Sequence, residues 1–223
     1  MTPHAPEAAR FIPHGAALSR EERWRLRGQR GMTIWLTGLS GTGKSTIASA
    51  LEARLLRAGL DAVWLDGDNL RTTLCAGLGL SEADRRENVR RVGEVARVIA
   101  QSGAIAITSV ISPYRDARDR IRASHEGDAI AFVEVHVDAP LDVLRARDPK
   151  GLYAQASRGQ LRGLTGVDAP YEPPLAPELA LRTHECDVHD AVERLFAMIE
   201  RGACLAPPTL APSKDQPTPG GKP

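Results

Sequence analysis

Lysine is scarce in this 223-residue chain: Lys44, Lys150, Lys214 and Lys222 are the only four, so the folded part carries its surface charge on arginine. Two of the four lie near the end, which gives Lys44 and Lys150 a claim to chemistry, although a general bias toward arginine accounts for the scarcity equally well. Cysteine is scarce too. Cys75, Cys186 and Cys204 are odd in number, widely spaced and without metal-ligand spacing, a pattern that suits reduced thiols in the cytosol. No apolar run approaches a membrane span, and the start, with Pro3, His4, Pro6, Glu7 and Pro13, has no apolar signal-peptide core. The sequence therefore predicts a cytoplasmic protein that does not engage a membrane. A net charge of +1 with 26% charged residues excludes the broad basic field of a nucleic-acid binder, and the expected partner is a small anion met locally. His125, His136, His184 and His189 share no carboxylate or metal spacing, and no internal repeat is visible. An Asn-Lys-x-Asp guanine-reading motif is absent, which argues against a GTP-dependent switch.

What is present is a complete phosphate loop. Gly38-Leu39-Ser40-Gly41-Thr42-Gly43-Lys44-Ser45 fits G-x-x-x-x-G-K-[ST], with Thr46 following. An apolar run from Met32 to Thr37 leads in, and a helix-compatible run from Thr46 to Leu51 leads out, as the motif requires. Glycines let the backbone turn its N–H groups inward, and the positive end of the next helix completes an anion site. Lys44 bridges the outer phosphates in this reading, and the Ser45 hydroxyl is a ligand for Mg²⁺. Ala62-Val63-Trp64-Leu65 then ends in Asp66-Gly67-Asp68-Asn69, at a strand's carboxyl end where ligands gather in open parallel sheets. One carboxylate can place Mg²⁺ while the other accepts a proton from an attacking hydroxyl. The competing reading of the same four residues is an Asx turn that caps the next helix.

Strands alternate with helices along the rest of the chain, which predicts an α/β fold of P-loop NTPase type: three layers, a parallel sheet flanked by helices, and a basic lid. Ser19 caps a first helix ending near Gly28, and Ser81 caps a long one running to about Gln101 with Val89, Val92, Val95, Ala96 and Ile99 on its apolar face. Glu87–Arg91 and Arg90–Glu94 are ion-pair spacings on that helix, and Arg85 and Asn88 lie one turn apart at its start. Further strands are expected at 104–110, 129–137 and 178–181, with helices at 115–122 and 188–201. The stretch of about 145–177, punctuated by glycine and proline, is the expected lid. Such a flap supplies positive charge to a migrating phosphoryl group and excludes water. Residues 1–18 are expected to be a flexible segment, 19–203 a kinase domain, and 204–223 a disordered Pro-rich tail.

In order, Gly38 to Thr46, Asp66-Gly67-Asp68-Asn69, Asp84-Arg85-x-Glu87-Asn88-x-Arg90-Arg91, Ile111-Ser112-Pro113, Arg147-Asp148-Pro149-Lys150-Gly151-Leu152-Tyr153 and Tyr171-Glu172-Pro173-Pro174 resemble the adenylyl-sulfate kinase family over about residues 20–200. The resemblance implies transfer of the ATP γ-phosphate, with Mg²⁺, to the 3′-hydroxyl of adenosine 5′-phosphosulfate, in an enzyme that is commonly a homodimer. It implies that Asp68 orients or deprotonates that hydroxyl and helps place Mg²⁺, with Asp66 as its near neighbour. It implies further that Arg71, Arg85, Asn88, Ile111, Lys150 and Leu152 hold the phosphosulfate, that Arg147 faces ATP, and that Ser112 is the position of a phosphoserine intermediate or shapes the acceptor pocket. Leu80 and Leu164 stand where similar enzymes have the two phenylalanines that sandwich the acceptor's adenine, and Thr73 stands where glycine is frequent. Leucine covers a base without the stacking worth about 1–3 kcal/mol per base in nucleic-acid systems. A sibling kinase with another nucleotide-like or sulfated acceptor, and a binding module that has lost catalysis, are the alternatives.

Overall fold

The computed structural model describes residues 15–201. Residues 1–14 of the expected N-terminal segment, Cys204 and the expected Pro-rich tail lie outside the described residues. Five strands, β1 (Met32–Thr37), β2 (Ala62–Asp66), β3 (Ile105–Ser109), β4 (Ala131–Asp138) and β5 (Leu179–Arg182), form one sheet of order β2-β3-β1-β4-β5. Every pairing is parallel. All their carboxyl ends therefore open on one edge of the sheet, which is where a ligand can be gripped.

The sheet is buried from both sides. Met32, Ile34 and Leu36 of β1 face α2 (Lys44–Arg57) and α8 (Val188–Arg201), packing with Ile47, Leu51, Leu55, Leu195 and Phe196. Trp35, pointing the other way by the period of two, packs with Val89, Val92 and Ala96 of α4 (Glu82–Ser102) and Ile121 of α5 (Arg115–Gly127). Full burial of one such aliphatic side chain is worth roughly 1.5–3 kcal/mol. At Gly93 the two helices touch so closely that an added Cβ would stand 2.4 Å from Ile121 Cδ1. The first helix, α1 (Arg20–Arg27), is closed by a capping box between Ser19 and Glu22 and a left-handed Gly28. It docks through Trp24, whose indole N–H donates to the Ala100 carbonyl at 3.1 Å. Short helices α3 (Gly67–Arg71), α6 (Leu141–Arg147) and α7 (Leu152–Ser157) complete the set among the described residues.

The long helix departs from its expected charge pattern in one place. Arg90 bonds to Glu87 at 2.7 Å, not to Glu94, which pairs with Arg97 at 2.8 Å. Both pairs put the carboxylate N-terminal to the arginine, the orientation that helices favour. Strand β4 starts two residues later than its apolar run because Ala129 takes a left-handed turn conformation.

His125 is structural. Its Nδ1–H donates to the Ile121 carbonyl at 2.8 Å and its Nε2 accepts from the Thr33 hydroxyl at 2.9 Å, so the buried ring is held neutral. Burial pushes its pKa below the ordinary 6.5. Above that value both folded and unfolded chains are neutral here; below it the unfolded chain binds a proton that the folded one refuses, and stability falls with pH. Urea unfolding at about pH 7.5 and about pH 5.5 is expected to show a smaller acid loss for His125→Gln than for wild type, whose slope from this group is at most about 1.4 kcal/mol per pH unit. Equal losses in the two proteins contradict this assignment.

Candidate active site

The phosphate loop leaves β1 at Thr37 and delivers Lys44 as the first residue of α2. Gly38 is required there: a Cβ would stand 2.1 Å from the Val137 carbonyl oxygen on the neighbouring strand. Gly43, left-handed at φ 91°, turns the chain into the helix. Thr42 donates to the Leu39 carbonyl at 2.9 Å and so closes the loop on itself. The Lys44 ammonium donates to the same Leu39 carbonyl at 2.6 Å and to Thr42 Oγ1 at 3.3 Å. Burial, followed by the charge of Lys150, pushes the Lys44 pKa down to about 7 against the opposing pull of Asp68 and Asp66. A buried cation without a bonded carboxylate has its strongest available partner in a polyphosphate.

Asp66 and Asp68 divide the two readings of their turn between them. Asp66, the last residue of β2, caps α3 by accepting from the N–H groups of Asp68 and Asn69 through Oδ1, both at 3.1 Å. Its Oδ2 accepts from the hydroxyls of Ser45 at 2.8 Å and Ser109 at 3.0 Å. Burial alone would raise its pKa, but these four donors outweigh it and hold the carboxyl below 3.8. Asp68 makes no hydrogen bond to Ser45. It sits exposed on the first turn of α3 and pairs with Lys150 from the loop after α6. The Ser45 hydroxyl thus meets Asp66, a difference from the expected pairing of Ser45 with Asp68. Its cause is position: Asp66 ends the strand beside the loop, while Asp68 is displaced by the helical turn. Among the described residues, no group of three or more His, Cys, Asp or Glu could hold a metal. Two hard oxygens fit a cation that arrives on substrate phosphates and keeps most of its waters.

These pieces line one cavity of about 550 Å³. Of the loop, Ser40, Gly41, Gly43, Lys44, Ser45 and Thr46 reach it; Asp68, Arg71, Arg85, Asn88, Ile111, Ser112, Arg147 and Lys150 line it too. Gly38, Leu39, Thr42 and Asp66 lie behind the surface and support it. Leu80 is half exposed and is not among the residues that line the cavity, and its carbonyl accepts from Arg85 Nε at 2.8 Å. Leu152 and Leu164 do not line it either: they pack with Ala139, Leu144 and Tyr153 in a small separate core under the lid. Among the described residues, no aromatic ring lines the cavity.

The lid is held by polar contacts. Arg85 donates to Thr165 Oγ1 at 2.7 Å and the Gly163 carbonyl at 2.6 Å, Arg147 to the Thr183 carbonyl at 2.6 Å, and the Tyr153 hydroxyl to the Ser40 carbonyl at 2.9 Å. Ser112 is tied down. Its hydroxyl accepts from the Trp35 indole N–H at 3.1 Å and donates to Thr37 Oγ1 at 2.9 Å, which donates on to the Ile111 carbonyl at 2.7 Å. Its proton is thus directed within the fold, to Thr37. Ser109, Thr37, Thr165 and Thr183 take part in this machinery without any motif to mark them, because each acts through a partner distant in sequence.

A parallel sheet with a phosphate loop at the end of its central strand, a carboxylate in the same cavity and an arginine-bearing lid together define a P-loop kinase. The comparisons narrow the class. A profile of the Adenylylsulphate kinase family matches residues 30–182. Adenylyl-sulfate kinase of Penicillium chrysogenum is 51% identical over 84% of this chain and 92% of its own length, and that of Saccharomyces cerevisiae is 53% identical over 80% and 89%. An APS kinase of Mycobacterium tuberculosis, solved in complex with AMPPNP and APS, superposes with a TM-score of 0.75 at 43% identity, over 77% of this chain and 99% of that one. The chain belongs to the adenylylsulphate kinase family.

Proposed function

We propose that this protein is an adenylyl-sulfate kinase, moving the γ-phosphoryl group of ATP to the 3′-hydroxyl of adenosine 5′-phosphosulfate to yield ADP and 3′-phosphoadenylyl sulfate. The observation that carries it is that Lys44 and Asp68 line one and the same cavity, in a chain of this family. The loop from Gly38 to Thr46 binds the ATP phosphates, and Arg147 approaches them from the lid. Ser45 and Asp66 would hold Mg²⁺, which would supply positive charge to the phosphates. Asp68 accepts the proton of the attacking hydroxyl once Lys150 turns from it to the acceptor's anionic end. Arg71, Arg85 and Asn88 complete the acceptor's anion site; Ile111 and Ser112 shape its wall by packing and hydrogen bonding. Leu152 and Leu164 serve the acceptor indirectly, through the lid core. In this reading residues 19–203 form the catalytic unit, with 145–177 as its lid.

A coupled assay with ATP, Mg²⁺ and adenylyl sulfate is expected to show turnover; none at saturating substrate refutes the proposal. The ring-free cavity favours a second reading, a kinase for a different nucleotide-like or sulfated acceptor. A substrate panel decides between them by the highest kcat/KM. The family resemblance also supports a homodimer, for which sedimentation at twice the chain mass is the expected result. The reduced thiols Cys75 and Cys186 support a cytoplasmic setting, and no helix among the described residues is long and apolar enough to cross a membrane.

A further inference from the structure

Arg118 lies outside the cavity, yet it holds two parts of its surroundings at once. On α5 and only 1% exposed, it spends its guanidinium in three directions: Nε to Glu134 Oε1 at 2.5 Å, Nη1 to the Ser112 carbonyl at 2.7 Å, and Nη2 to the Glu172 carbonyl at 2.8 Å. Ser112 belongs to the cavity wall, and Glu172 to the limb by which the lid returns to the sheet. We propose that Arg118 is a positioning residue that fixes the acceptor wall at residues 111–113 and the lid's return limb at residues 171–173 to one another. This rests on the proposed function for the identity of the acceptor.

The two segments are laced together around that guanidinium. Glu172 N–H donates to the Pro113 carbonyl at 2.8 Å, Arg115 N–H donates to Glu172 Oε2 at 2.8 Å, and Arg115 Nη2 donates to the Pro173 carbonyl at 3.1 Å. Tyr171 OH meets Thr37 Oγ1 at 3.2 Å, the same hydroxyl that receives the Ser112 proton. Ser112 itself is left-handed at φ 42°, a conformation that a non-glycine residue keeps only when its surroundings impose it. Trp35 and Thr37 fix its side chain; Arg118 fixes its carbonyl. A planar fork with five donors can span two carbonyls and a carboxylate together, whereas an ammonium on a flexible stem cannot hold that geometry. Glu134 turns the guanidinium: buried beside it, the carboxylate takes Nε and leaves both Nη groups for the loops.

A plain core ion pair would affect stability alone, so the test separates positioning from folding. Arg118→Lys keeps a charge for Glu134 but loses the fork. Arg118→Met combined with Glu134→Leu removes the pair as a unit and leaves no buried charge unpaired. In both proteins, adenylyl sulfate is expected to bind roughly 10- to 100-fold more weakly, while the Kd of a non-hydrolysable ATP analogue stays within about threefold of wild type. Trypsin cleavage after the exposed lid residues Arg158 and Arg162 is expected to accelerate by about tenfold or more as the return limb loosens. Wild-type cleavage of the double variant overturns the proposal whatever the acceptor proves to be. So does wild-type affinity for adenylyl sulfate in an enzyme that turns it over, or a parallel loss of ATP-analogue affinity. Absence of turnover by the wild-type protein refutes the acceptor instead, and the cleavage comparison then decides the role of Arg118.

Discussion

Lys44→Ala is expected to lower kcat by a factor on the order of 10²–10³ or more, with little change in fold stability. The rate loss follows from what the ammonium is for. In a water-excluded site, one preorganised donor aimed at developing charge is worth about 2.7–4 kcal/mol of transition-state stabilisation. Lys44 is such a donor: it is buried, fixed to Leu39 and Thr42, and has no carboxylate bonded to it. The stability expectation has the same origin. Burial depresses its pKa from 10.5 to about 7, so the folded chain is penalised relative to the unfolded one as pH falls through that window, and the penalty stays in full below it. Removing the amine therefore leaves the melting temperature unchanged or raised. Polyphosphate reverses the penalty, because an anion at the loop favours the charged lysine. Nucleotide binding at about pH 8 should take up a proton, visible in calorimetry as a binding heat that depends on buffer ionisation enthalpy, and the dependence should vanish in Lys44→Ala. A wild-type rate in the variant removes the phosphate role from Lys44.

The strand, loop and helix around Lys44 were legible in the sequence because the phosphate loop is local. Strand, glycines, lysine and helix are contiguous, and each residue type has one physical reason to be where it is. The long helices were equally plain, since a Ser cap at 81 and a period of 3.6 in Val89, Val92 and Ala96 define α4 without help from the rest of the fold. What stayed hidden is whatever depends on two distant segments meeting. Asp66 and Ser45 lie far apart in sequence, and only the placement of β2 two strands from β1 brings the carboxylate onto the hydroxyl. The lid shows the limit most clearly. Its Leu164 sits where the family pattern suggests a cover for a base, yet it is buried with Leu144 and Tyr153, because a leucine near other apolar groups is drawn into the core they form. Arg118 is one of several arginines in the helix expected at 115–122, and only its burial against Glu134 reveals its use.

Asp68 gives the second large effect, and it bears directly on whether the chain is a catalyst or only a nucleotide-binding module. Asp68→Asn preserves shape and leaves the α3 cap intact, because that cap belongs to Asp66. The lost ion pair with Lys150 joins side chains 50% and 64% exposed, a setting in which such pairs contribute little to stability. Folding should survive unchanged. Positioned proton acceptors contribute factors of about 10²–10⁴, so kcat is expected to fall by that range, equivalent to about 2.7–5.5 kcal/mol of barrier. Ser45, Asp66 and the loop are untouched, so affinity for an ATP analogue should remain within about threefold of wild type. That split is the informative result. If kcat held within about tenfold, the carboxylate would be doing no proton transfer and the hydroxyl would have to be deprotonated elsewhere. If nucleotide affinity collapsed along with kcat, Asp68 would belong to the metal and phosphate machinery, and the division of labour between the two aspartates would be wrong. A binding module predicts neither loss, since nothing in nucleotide retention needs a base in the same cavity as Lys44.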